Sequence, residues 1–232
     1  MTRPARARLN VQALTHNLAQ VRKYAPGAKV MAVVKADGYG HGLAWTAQTL
    51  DAAAVDGFGV AILEEGVAVR AAGIVRPICV LEGFFHPKEL PQFIQLGIDT
   101  VVHCEEQLRA LEACTSGSIN AWLKIDTGMH RLGFAPDAVA NALDRLSACR
   151  AVRSIRLLSH LASADDTANP ATQLQIENMR ASRAGRKFEA SLANSAGIVA
   201  WPDARFDWVR PGTMLHGCSP LLGRSAADLG LK

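Results

Sequence analysis

Eight short apolar runs recur along the 232 residues, each parted from the next by a segment of helical period. The runs are Val30–Val34, Gly57–Leu63, Pro77–Gly83, Asp99–Cys104, Asn120–Asp126, Ser154–Leu161, Phe188–Asn194 and Phe206–Gly212. A strand buried on both faces reads as an unbroken apolar run, the pattern of a parallel sheet covered by crossover helices. Helices are expected from Val11, with Asn10 as its cap and Leu14, Leu18 and Val21 on its apolar face. Others are expected over Leu43–Val55, Glu64–Gly73, from Pro87 (with Pro91 set to break or kink it), Glu105–Cys114, Pro136–Ala148 and within Pro170–Arg183. The alternation predicts an α/β fold. Eight repeats favour closure into a (β/α)8 TIM-type barrel beginning with a helix, with an open doubly wound sheet as the alternative.

Half the residues are apolar and a fifth are charged, enough to build a large soluble core. The net charge of +4 owes much to Arg3, Arg6 and Arg8, read as a solvated arm. No basic run recurs and no aromatic-basic interleaving is present, which argues against a nucleic-acid binder. No apolar segment follows the basic start, so no secretory signal is expected, and no run approaches a membrane span. Cys79, Cys104, Cys114, Cys149 and Cys218 are odd in number and scattered. They read as reduced thiols of a cytoplasmic protein, with neither a disulfide frame nor a metal site.

In a barrel, the loops at the carboxyl ends of the strands form the active site. Lys35, Asp37, Tyr39 and His41 fall there after the first strand, Glu82 after the third and His103 after the fourth. Asp126, Thr127, His130 and Arg131 follow the fifth, and Ser159, His160 and Ser163 the sixth. Asn194, Ser195 and Gly197 follow the seventh, and Arg210, Gly212 and Thr213 the eighth. Each has a plain alternative. Lys35 could snorkel, His160 could be a hydrogen-bonded structural histidine, Arg210 could neutralise Asp207, and Asn194 could be a helix cap. Their convergence on one rim is what points to chemistry. A lysine able to form a Schiff base, a small-residue loop suited to phosphate, and arginines for a planar acid suggest pyridoxal 5'-phosphate, PLP.

The stretches VVKADGYGHG, LKIDTGMHRLG, SHLASAD, ANSAG and DWVRPG together resemble the alanine racemase family along its N-terminal PLP-binding barrel. The resemblance runs from about Leu9 to the end. It implies an isomerase that interconverts L- and D-alanine by a two-base mechanism, for cell-wall precursor supply or alanine catabolism. Lys35 is then the aldimine lysine and the base on the D side. Tyr39, Ser195, Gly212 and Thr213 match phosphate contacts, with Asn194 beside them. His160 matches a histidine next to the pyridine ring, and Arg210 an arginine facing the pyridine nitrogen. Arg131 matches a catalytic, cofactor- and substrate-binding arginine near the phenolic oxygen and the substrate carboxylate. Lys124 matches a lysine that family members carboxylate. A bare ammonium beside Arg131 would repel it, whereas a carbamate would pair with it.

The family's second base is a tyrosine of a C-terminal β-domain, lent by the partner subunit of a head-to-tail homodimer. This chain has only Tyr24 and Tyr39. The expectation is therefore a barrel over residues 1–222 and the start of a connector over 223–232, poorly active alone. His216 stands where the family usually has tyrosine. Two alternatives remain: a single-domain PLP barrel of vitamin B6 homeostasis, or a racemase for another amino acid.

Overall fold

The computed structural model describes residues 7–183 and 185–232; Arg3 and Arg6 of the basic arm lie outside them. Eight parallel strands form the barrel. They are β1 Lys29–Val33, β2 Gly57–Val60, β3 Ile78–Val80, β4 Asp99–Val102, β5 Ile119–Lys124, β6 Val152–Leu158, β7 Ala190–Ser191 and β8 Trp208–Val209. Each pairs with the next, and β8 pairs with β1, so the sheet is a closed barrel and the open alternative is excluded. Every expected strand is present but shorter at its carboxyl end, because the last residues of each run leave the ladder to form the rim. The chain enters through the helix Val11–Tyr24, whose cap is the Asn10 side chain accepting from Ala13 N.

The two expected proline effects differ in outcome. Pro87 opens a short 3-10 turn, Pro87–Glu89, which His86 and Glu89 cap reciprocally. Pro91 does not break the helix that follows. It lies in the first turn of Leu90–Leu96, where a missing N–H costs no intrahelical bond. The helix Leu43–Ala52 stops before the expected Val55 because Ala54 turns left-handed, at φ 57°.

Most of the core lies between the strands and the surrounding helices. A second cluster joins Met31, Cys79, Val101, Trp122, Leu158 and Trp208. These side chains come from six different strands and can meet only inside the barrel. Trp122 and Trp208 pack edge to face at 5.8 Å between ring centres, with the Arg156 guanidinium over both. Arg156 also reaches Asp99 at 3.6 Å and Glu189 at 2.7 Å. Asp99 and Trp208 are the first residues of their strands, so this plug closes the amino end of the barrel and leaves the carboxyl end to the site.

The polar stretch expected as a connector packs along the first helix. Leu229 and Leu231 are buried, and Asn17 bonds both the N–H and the carbonyl of Lys232. Among the described residues, no helix is long and apolar enough to cross a membrane.

Candidate active site

A cavity of about 500 Å³ opens at the carboxyl end of the strands. All ten side chains or backbones singled out for the site border it: Lys35, Tyr39, Lys124, Arg131, His160, Asn194, Ser195, Arg210, Gly212 and Thr213. Glu82 and Asp165 also line it, so four cations face two carboxylates. Of the other rim residues, His130 is exposed and turned back onto Asp126, at 3.1 Å from Nδ1. His103 sits 3.0 Å from the Glu82 carbonyl.

The backbone that carries Lys35 out of β1 is unusual. Ala36, Asp37, Gly38 and Tyr39 all lie in the left-handed helical region, with φ from 52° to 61°. Such a turn costs roughly 1–2 kcal/mol per non-glycine residue and must be held from outside. The Glu65 carboxylate accepts from Ala36 N at 2.7 Å and, with its other oxygen, from Ala61 N. Asp37 Oδ1 accepts from Leu43 N, and His41 Nδ1 lies 3.0 Å from the Tyr39 carbonyl and 3.2 Å from that of Gly38. The result places the Lys35 and Tyr39 side chains in the same basin.

Tyr39 ends against the β8 loop. A Cβ on Gly212 would overlap Tyr39 Oη, so glycine is required for this approach. The Ser195 hydroxyl oxygen accepts from Gly212 N at 3.1 Å and Met214 N at 3.4 Å, tying the β7 and β8 loops together. Burial raises the Tyr39 phenol's pKa, so it stays a hydrogen-bond donor. Asn194 caps the helix Ser195–Ala200 through Gly197 N while still bordering the cavity. The cap reading and the site position are both realised.

Arg210 is 4 % exposed. Its guanidinium donates to Ser191 Oγ and to the carbonyls of Ser159 and Leu192, and lies 3.4 Å from His160 Nδ1. The expectation that it might pair with Asp207 fails, because Asp207 binds Ala190 N and Arg183 instead. Burial pushes the Arg210 pKa down to about 10, still a cation at neutral pH. Burial first, and then the charges of Arg210, Arg131, Lys124 and Lys35, hold the His160 pKa down to about 3. His160 is therefore neutral, and the arginine contact leaves its Nδ1 as the acceptor.

Lys124, the last residue of β5, is 7 % exposed. Burial and the neighbouring Arg131 and Arg210 lower its pKa to about 8. The ion pairs among the described residues involve none of Lys35, Lys124, Arg131 and Arg210. A basin with more cations than carboxylates, two of them (Lys124 and Arg210) buried, and a hydroxyl-and-glycine cradle at one side suits a planar ligand with an anionic tail.

Some contributors escape the sequence. Gln175, buried in the helix Ala171–Arg183, donates to Thr127 Oγ1 and the His160 carbonyl and accepts from Ala162 N. It locks the β5 and β6 loops together. Nothing in its local sequence separates it from a surface glutamine except its place on the apolar face, beside Ile176 and Met179.

Residues 9–220 match the family described as alanine racemase, N-terminal domain. An alanine racemase of Aliivibrio salmonicida is 47% identical over 228 residues, covering 97% of this chain and 63% of the relative. One of Shewanella woodyi is 48% identical over 229 residues, covering 98% of this chain and 63% of that protein. The crystal structure of the biosynthetic alanine racemase from Pseudomonas aeruginosa superposes with a TM-score of 0.92 at 43% identity, over 96% of this chain and 62% of that one. The chain thus spans about 63% of the length of the curated relatives it matches.

Proposed function

The chain belongs to the alanine racemase family, through its N-terminal domain, and on that premise we propose that it forms the PLP-binding barrel of an enzyme interconverting L- and D-alanine. The observation that carries this reading is the convergence of Lys35, the Tyr39–Ser195–Gly212 cradle and the buried Arg210 in one basin. Bound PLP supplies an aldehyde carbon that takes up an amine and a ring that draws electron density from the substrate's α-carbon.

Tyr39, Ser195, Gly212 and Thr213 would hold the phosphate, with Asn194 fixing the loop beside them. His160 presents a neutral ring to the pyridine. Arg210 would set its buried cation against the cofactor's pyridine nitrogen. Such a cation would disfavour a proton on the ring nitrogen and so favour return of the proton to the substrate's α-carbon. Lys35 Nζ removes and returns the α-proton on the D side. Arg131 offers a planar fork to the substrate carboxylate. The proton on the L side is exchanged by a tyrosine of the partner subunit's second domain, in a head-to-tail dimer. The reaction is assigned to the cytoplasm.

Lys124 is the site of a carbamate. With its pKa lowered to about 8, a usable fraction is neutral amine near pH 7.5. The amine nitrogen adds to carbon dioxide, releases one proton, and leaves a carboxylate able to pair with Arg131.

The test is a PLP titration followed by borohydride and peptide mapping, beside Lys35→Ala. An adduct on Lys35, absent from the variant, is expected. Exchange of the α-proton of D-alanine in heavy water should follow. An adduct elsewhere, or none at saturating PLP, overturns the reading.

A further inference from the structure

His216 ends the 3-10 turn Thr213–His216, which begins at the cradle's own Thr213. Its ring stacks on His41, with centroids 4.4 Å apart and planes at 22°. It also lies 5.2 Å from the Tyr39 ring. His41 in turn has Nδ1 within hydrogen-bond reach of the Gly38 and Tyr39 carbonyls, two carbonyls of the left-handed turn. The far side of the 3-10 turn is fixed, because Asn17 donates to the Leu215 carbonyl at 3.0 Å. His216 Nε2 is buried and has no partner among the described residues. A buried ring nitrogen left without a partner is a cost and not a gain, so the position does not use histidine for a hydrogen bond. Its contribution is a flat ring in a stack.

From this geometry we infer that His216 is a positioning residue for the phosphate end of the cofactor site, acting through the His41 stack to hold the left-handed turn and Tyr39 against Gly212. The stack spans the two segments that must converge on one anion. Tyr39 comes from the loop after β1, and Gly212 and Thr213 from the loop after β8. Without it, the turn keeps its Glu65 and Asp37 contacts at one end but loses the support on the Tyr39 side. Burial, and then the charge of His41, push the His216 pKa down to about 4, so the stack at neutral pH is not a pair of cations.

The inference rests on the PLP reading, and its test has an arm that does not. In the ligand-free chain, His216→Ala should speed amide hydrogen exchange over residues 38–42, and His216→Phe should restore it. Binding is then compared for PLP and for pyridoxal, which lacks the phosphate. His216→Ala should weaken PLP about three- to tenfold, the worth of one ring pair, with pyridoxal unchanged and His216→Phe near wild type. Unchanged exchange and unchanged PLP affinity in His216→Ala overturn the inference. So does equal weakening of PLP and pyridoxal. If His216→Ala does not fold, His216→Leu replaces it: native-like exchange and PLP affinity there overturn the stack, and losses that only Phe restores support it. Failure of the PLP reading shows separately, as absence of a Lys35 adduct in the wild-type chain.

Discussion

Lys124 concentrates the electrostatic tension of the site in a single side chain. It is an ammonium at the end of a strand, buried and surrounded by Arg131, Arg210 and Lys35. Its pKa of about 8 in the fold, against 10.5 when unperturbed, means that the unfolded chain holds more protons between those values. Stability therefore rises with pH through that window, and the cost is fully felt below pH 8. In buffer free of bicarbonate, Lys124→Met should stabilise the chain by about 3 kcal/mol at pH 7, and the gain should fade toward pH 10.5. Urea denaturation across that range measures it. Adding bicarbonate should raise the wild-type melting temperature and leave the variant unmoved. A wild type indifferent to bicarbonate would leave the lysine unmodified.

At the scale of elements, the left-handed turn after β1 carries the most local strain. Ala36 is exposed at φ 52°, so Ala36→Gly should gain about 1 kcal/mol and raise the melting temperature by about 2–4 °C. Gly38→Ala should lower it, since the added methyl carbon meets Thr46 Oγ1 at 2.6 Å. Calorimetry of the two variants decides it. This turn also marks the limit of what is legible in the amino-acid sequence. The eight strands could be read because a doubly covered strand needs an unbroken apolar run. Nine of the ten residues that border the cavity could be read because they fall where those runs stop, whereas Lys124 lies inside its run and was reached only through the family resemblance. The handedness of Ala36–Tyr39 could not be, since three of its four residues are not glycine and their support comes from distant Glu65. Gln175 and the His216 stack were hidden for the same reason. Their partners lie on other loops, and only closure of the barrel brings them together. Pro91 was misread because a first-turn proline and a helix-breaking one look alike until the helix start is known.

Across the whole molecule, the barrel has one end sealed and one end open. The seal depends on Arg156, which compensates buried Asp99 and covers both tryptophans. Burial already raises the Asp99 pKa, opposed by its bonds to Asn120 and Trp122 and by Arg156. Arg156→Leu strands that carboxylate, at a cost of about 3 kcal/mol. The loss should be larger at pH 8 than at pH 5, where the carboxyl can escape by taking a proton. Equal shifts in denaturation midpoint at both pH values would count against an electrostatic seal.

The strands themselves are unequally latched. β5 and β6 share a six-pair register, whereas β7 meets β8 at the single pair Ser191–Trp208. The cradle straddles that weak seam, with Ser195 just beyond β7 and Gly212 just beyond β8. A dianion gripping both loops would act as a clasp on a hoop whose ends scarcely overlap. Occupancy and breathing of the seam then draw on the same free energy, so each tenfold rise in ligand above its dissociation constant should lower the open population there, and with it amide exchange, about tenfold. The Arg210 amide, bonded across the seam to the Ala193 carbonyl, is the reporter for this, and the β5–β6 amides are its silent control.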